Sequence, residues 1–336
     1  MEKNETQRIE WIDIAKGIGI LLVILGHSVK FGGAIHNLIF SFHMPLFFVL
    51  SGITYKQKDN KTFICMKLKT LIMPYIVFSL IGFVLSVMIP FWRNGLSIKT
   101  VIKDIYLTSP NAVNVSSIWF LVSLFWVVIF FNFIQKFNKN IQYIIIGVCL
   151  VLGFIYSNRI HMITFLPEGR LPFNIDTSLI ALTFFAAGVW LKKIITDKKL
   201  FFVNCVLFII SFALNGRVNL HGLTFHNPLL YLLESISGTV ILIFICFMLS
   251  TKIKRKMITA PLNWMGKHSL VIMGIQSIAV RVYVLIVNRL VHTEYSLYGL
   301  PIAHQIVCFI SVTFISVLIC LGIDLIKTRQ GEERAL

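Results

Sequence analysis

Long apolar runs alternate with short basic segments along this chain, and the alternation predicts ten helices. The runs lie near 12–30, 37–55, 68–90, 116–135, 141–157, 174–192, 200–214, 228–250, 267–289 and 303–326. About 20 apolar residues cross a hydrocarbon core roughly 30 Å thick, and most of the runs reach that length. The run at 200–214 is short, and the one at 37–55 is interrupted by Pro45. Longer loops are expected at 91–115 and 157–173, and the second, with Pro167, Gly169 and Pro172, reads as irregular. The pattern predicts an all-α, polytopic integral membrane bundle of about ten transmembrane helices. It forms a single domain over residues 1–336.

The distribution of charge sets the orientation. With both termini in the cytoplasm, 20 of the 31 Lys and Arg fall on the inner side and nine on the outer, the split that membrane topology favours. Composition agrees. The chain is 57% hydrophobic and 13% charged, with mean hydropathy +0.83, whereas a soluble domain carries about 25% charged residues. The net charge of +17 lies between apolar runs, so it suits lipid headgroups and not nucleic acid. The expected location is the cell membrane, as a multi-pass protein of the bacterial cytoplasmic membrane. No small-residue cleavage site follows the first run, which is read as a retained span. Cys65, Cys149, Cys205, Cys246, Cys308 and Cys320 contain no CxxC pair, so neither a disulfide framework nor a zinc site is expected.

The first run, WIDIAKGIGILLVILGH, carries ionisable groups where they are costly. Lys16 and His27 are 11 residues apart, which at about 100° per residue puts them within about 20° on one helix face. Asp13 lies about 40° to the other side of His27; so near the inner surface, it reads as capping or pairing. At a rise of 1.5 Å per residue, Lys16 sits about 6 Å into the core and His27 about 22 Å. Helix two runs back from outside, so His43 is expected about 21 Å from the inner face. The two histidines can share one depth. Pro45 removes a backbone donor, and a break there would point to a cavity beside His43; the alternative is a simple kink. For His27 the alternative is a hydrogen bond across a helix interface, and for Lys16 it is snorkelling to the inner face. A neutral imidazole can take a proton from a hydroxyl. Lys16, Lys67 and Lys69 at the inner mouth could hold a phosphate-rich molecule. Base in the middle and cations below fit transfer of a group across the membrane. The spacing does not name the group.

The string DIAKGIGILLVILGH, followed by FSFHMPLFFVLSG, resembles acyltransferase family 3, and most closely its fucose 4-O-acetylase-like subgroup. KLKTLIMPY at 67–75, SIWFLVSLF at 117–125, FFAAGVWLKK at 184–193 and WMGKHSLVIM at 264–273 follow in the family's order. The resemblance implies a membrane acyltransferase of about ten helices, acting alone without an appended esterase-like or racemase domain. The acyl group, usually acetyl, would come from cytoplasmic acyl-CoA and pass to a hydroxyl of an envelope carbohydrate or its lipid-linked precursor. It maps the family's basic residue and histidine of helix one onto Lys16 and His27, and its later basic pair and proline onto Lys67, Lys69 and Pro74. Lys16 stands where Arg is frequent and loses the planar fork that binds phosphate bidentately. Gln276 stands where many members have histidine, so no catalytic role is carried over to it.

Other polar residues are candidates for the acceptor side. Asp176 and Arg170 could contact a sugar, or cap a helix and meet headgroups. Glu234 and Arg281 could form a buried pair, or Arg281 could steady an oxyanion. Trp119 could be a sugar platform or an interface-belt aromatic. His161, His221 and His226 fall in or near outer loops without metal-ligand spacing. The reading is therefore a membrane O-acyltransferase with His27 and His43 at the reacting centre and Lys16, Lys67 and Lys69 on acyl-CoA. It needs no bound cofactor or metal. The alternative is a proton-coupled transporter or exporter of a sugar or glycolipid. The acceptor, the acyl chain length and the oligomeric state are not legible.

Overall fold

The computed structural model describes residues 9–29, 33–89, 96–108, 116–253, 256–291 and 297–333. All ten apolar runs are helical. In chain order the helices are α1 (Glu10–Ser28), α2 (Gly33–Ile53) and α3 (Asn60–Lys67), which passes through a π turn (Leu68–Ile72) into α4 (Met73–Met88). They continue with α5 (Ile98–Leu107), α6 (Trp119–Ile134), α7 (Lys139–Arg159), α8 (Ile175–Leu191) and α9 (Lys198–Leu214). The last are α10 (Pro228–Met248), α11 (Lys256–Lys267), α12 (Ser269–Val291) and α13 (Ile302–Glu333). Among the described residues, eight helices are long and apolar enough to cross a membrane. The runs that form α6 and α9 give helices of 16 and 17 residues, somewhat short of a span.

Burial sorts the helices into an inner and an outer set. On α2, α6 and α8 most side chains are sealed, including Leu46, Phe48, Leu50, Phe131, Phe184 and Phe185. By contrast, α4, α7, α9 and α13 turn rows of large apolar side chains outward, such as Leu80, Val84 and Val87 on α4 and Ile310, Phe314 and Leu318 on α13. Exposed apolar rows of this extent require a lipid surround. The chain is an all-α, multi-pass membrane protein.

Lipid tails give helices little hydrophobic reason to associate, so close packing must hold the bundle together. Two helix pairs achieve it with reciprocal glycines. A Cβ on Gly17 would overlap the Leu262 carbonyl, and one on Gly266 the Asp13 carbonyl, so α1 and α11 touch backbone to backbone. The same exchange joins α2 to α8, where Gly52 meets Phe185 and Gly188 meets Val49. A polar corner secures the last helix. His268, in the turn between α11 and α12, has Nε2 3.0 Å from Asp324 Oδ1 of α13, and Trp264 Nε1 donates to Asp324 Oδ2 at 3.3 Å.

Three features depart from the sequence expectations. The loop at 91–115 contains α5, started by a capping box in which Ser97 and Thr100 exchange side-chain and backbone hydrogen bonds. The apolar run at 267–289 is preceded by a further helix, α11, at the inner end of the bundle. Pro45 does not break α2, which stays helical to Ile53. The backbone donor that proline lacks would have served the Ser41 carbonyl, and the Ser235 hydroxyl of α10 donates to that carbonyl instead. Of the loop expected at 157–173, the first three residues belong to α7 and the rest is irregular, with three short 3₁₀ turns between Ile160 and Asn174.

Replacing Gly266 by Val should lower the melting temperature in detergent clearly, since overpacking typically costs about 1–3 kcal/mol. Gly147→Val, where a Cβ would meet nothing within 4 Å, should shift it far less. Equal melting temperatures would refute the backbone contact as a source of stability.

Candidate functional site

Helix α2 carries the deepest imidazole. His43 is 4% exposed, and its Nδ1 lies 2.7 Å from the Ile39 carbonyl one turn back. A carbonyl oxygen can only accept, so Nδ1 carries the proton, and Nε2 is left as the basic atom of the neutral ring. Phe40 meets the His43 ring edge-on at 5.0 Å and stacks on His36 at 4.0 Å. This column of rings follows from the four-residue spacing of His36 and Phe40 and the three-residue spacing of Phe40 and His43 on one helix face.

His27 and His43 line one cavity of about 80 Å³ between α1, α2, α6 and α12. Its other walls are Val23, Phe40, Met44, Met273, Ser117, Trp119, Asn219, Leu220 and His221. The shared depth of the two histidines, expected from rise per residue, thus has its counterpart in one chamber. Trp119 belongs to it, as a wall residue.

His221 reaches the chamber from outside the spans. It sits in the turn of a two-stranded hairpin, β1 (Val218–Asn219) and β2 (Thr224–Phe225), in which Val218 pairs with Phe225. Gly222 N donates to Asn219 Oδ1 at 3.0 Å and closes the turn. The His221 ring stacks on Trp119 with centroids 4.6 Å apart and an interplanar angle of 14°. Burial, with Arg170 and His27 adding to it, pushes this imidazole down to about 3, so it is neutral at physiological pH.

Arg170 and Asp176 do not face that chamber. They form a buried fork, Arg170 Nε to Asp176 Oδ2 at 2.7 Å and Nη2 to Oδ1 at 2.9 Å, with 10% and 0% of the side chains exposed. Thr177 Oγ1 accepts from Nη2 at 2.8 Å, and the His221 carbonyl accepts from Nη1 at 2.6 Å. The Asp176 carboxylate also takes the Leu171 and Thr177 amides. Of the two roles expected for Asp176, these bonds match the structural one: it braces the loop before α8. Glu234 and Arg281 do not pair either. Glu234 is buried and accepts from Asn215 Nδ2 at 2.9 Å, whereas Arg281 is exposed on α12 and near Asp104 of α5. Neither is a wall of the chamber.

A second cavity, of about 250 Å³, opens at the other end of α2 and α6. Lys56, Lys58 and Lys67 line it with Ser51, Thr54, Tyr55, Phe63 and Met66. Tyr55 is held by its hydroxyl, which donates to Asn132 Oδ1 at 2.7 Å. Of the three lysines expected at an inner anion site, Lys67 is a wall residue. Lys69 is exposed on the π turn, and Lys16 lies 3.5 Å from Asp13, an i,i+3 ion pair. Capping or pairing was the expected role of Asp13, and Lys16 is its partner. Lys56 and Lys58 complete the wall. The positive-inside count had put them at the same mouth without marking them as ligands.

Between the cavities lies an aromatic plug. The Phe120 ring packs against Phe48 at 4.8 Å and Phe47 at 5.8 Å, and all three are buried. On α2 the outer chamber ends at Met44 and the inner one begins at Ser51, about 10 Å further along the helix. Sequence reasoning passed over His221, Asn219 and Ser117 as chamber walls. The signal that could have found His221 is the Asn219–Gly222 turn flanked by the β-branched Val218 and Thr224.

A comparison with curated proteins finds no match. A family model described as an acyltransferase domain matches residues 9–321, almost the whole described bundle and all of both cavities. This chain belongs to acyltransferase family 3 and is a membrane acyltransferase.

Proposed function

We propose that the protein is an O-acyltransferase that moves an acyl group, acetyl by the family's default, from cytoplasmic acyl-CoA to a hydroxyl of an envelope carbohydrate or its lipid-linked precursor. The observation that carries this reading is the pair of chambers on α2 and α6, one lined by lysines and one by histidines. The donor's phosphates meet Lys56, Lys58 and Lys67, with Lys16 and Lys69 at the surrounding inner surface adding to the field. The thioester arm extends along α2 and α6 toward the outer chamber, and the Phe47, Phe48 and Phe120 rings move aside to admit it.

In the outer chamber His27 accepts the proton of the acceptor hydroxyl, and His43, fixed through Nδ1, shares that proton through Nε2. The hydroxyl oxygen attacks the thioester carbonyl. A C–O bond forms, the C–S bond breaks, and the CoA thiolate leaves with the proton from the imidazole. In the variant in which His27 carries the acyl group, its ring nitrogen attacks the thioester carbonyl, a C–N bond forms and the C–S bond breaks with CoA leaving as thiolate. The hydroxyl, its proton taken by His43 Nε2, then attacks. A C–O bond forms, the C–N bond breaks and His27 is freed, and the proton passes to the thiolate. Both routes balance without a metal or an oxidant.

General-base removal typically costs about 10²–10⁴-fold. His27→Ala should abolish acyl transfer, and His43→Ala should reduce it at least about 100-fold, with membrane insertion and melting unchanged. Proton-driven sugar flux without acyl transfer in the wild-type protein would point to a transporter instead. Lys67→Ala should raise the KM for acyl-CoA about tenfold in steady-state assays with little change in kcat, and an unchanged KM would remove the inner chamber from the donor path.

A further inference from the structure

The outer chamber has a wall built separately from the helices, and that wall is held with unusual care. The hairpin at 218–225 packs on α2 through β1, and Phe225 meets Phe154 at 5.2 Å and Tyr231 at 4.7 Å. Val218, Leu220 and Leu223 are buried, so the hairpin sits in the bundle and is not draped over it. Its His221 ring lies flat on Trp119, and both line the chamber with His27 and His43. Among the described residues, the guanidinium of the Arg170–Asp176 fork sends a single bond beyond residues 170–177, to the His221 carbonyl. A buried ion pair stabilises a fold only weakly against its own desolvation, so its use here as a fixed point for one backbone carbonyl is informative.

We propose that His221 contacts the acceptor, hydrogen-bonding a hydroxyl next to the one that is acylated, and that Arg170 with Asp176 is its positioning clamp. The inference rests on the O-acyltransferase reading above and adds a substrate class: acceptors with neighbouring hydroxyls. A neutral imidazole both donates and accepts, which suits a hydroxyl. Asn219 beside it is a second wall with amide donors, its Oδ1 already taken by the Gly222 amide. Stacking on Trp119 restricts the His221 ring to one plane, so the hydrogen bond it offers has a set direction. His27 and His43 act on the reacting hydroxyl from the opposite helices, and His221 decides which hydroxyl faces them.

The test uses the full-length protein in liposomes, labelled acetyl-CoA, and carbohydrate extracted from the source organism's membranes as titrated acceptor. His221→Phe keeps a flat ring on Trp119 but removes both nitrogens, whereas His221→Gln keeps a donor and an acceptor. The apparent KM for the extract should rise at least tenfold in His221→Phe and recover in part in His221→Gln, with the KM for acetyl-CoA unchanged in both. Arg170→Lys, which loses the fork, should move the acceptor KM in the same direction. Label transfer by wild type with an acceptor KM within twofold of wild type in His221→Phe overturns the inference and leaves the O-acyltransferase reading standing. Absence of label transfer by wild type overturns both.

Discussion

Desolvation of polar groups inside an apolar bundle is the constraint on which the rest of this structure depends. In hydrocarbon each unsatisfied backbone or side-chain polar atom costs several kcal/mol, so a polar path survives only where its members hold one another. The pattern is visible at three of the buried groups described. His43 is tied to the Ile39 carbonyl, Asp176 to Arg170, and Glu234 to Asn215. The carbonyl that Pro45 would have orphaned is met by Ser235. Of the outer chamber's walls, His43 is held in this way, its Nδ1 committed to the Ile39 carbonyl.

The same constraint explains the division of labour between helices. α2 and α6 bear both chambers and the aromatic plug, and they are buried on nearly all sides. α8 braces α2 through reciprocal glycine contacts, and α11 does the same for α1. The site elements are therefore positioned by backbone contact, the least deformable kind of packing, while the outer helices meet lipid and tolerate looser fits. Three buried phenylalanines, Phe47, Phe48 and Phe120, lie between the chambers.

Much of this was legible in the sequence, for identifiable reasons. The ten runs were legible because a lipid surround demands continuous apolar length. The common depth of His27 and His43 follows from helical rise alone. What failed needed contacts between distant segments. Pro45 looked like a break because the hydroxyl that rescues Ser41 comes from Ser235, on another helix. Glu234 and Arg281 looked like a pair because depth was estimated and direction was not; Arg281 faces outward, and Glu234 meets Asn215. Helix α5 was hidden by its lysines and its short length. His221 was set aside as a loop residue, and only the fold of its hairpin carries it into the chamber.

The central claim is that acyl groups leave the cytoplasmic donor and end on an envelope carbohydrate. Mass spectrometry of envelope glycans from cells with and without this protein tests it most directly. The account predicts that one acyl substituent per modified unit, about one acetyl mass in the default case, disappears when the protein is removed and returns when it is restored. Identical glycan masses in the two strains would contradict it.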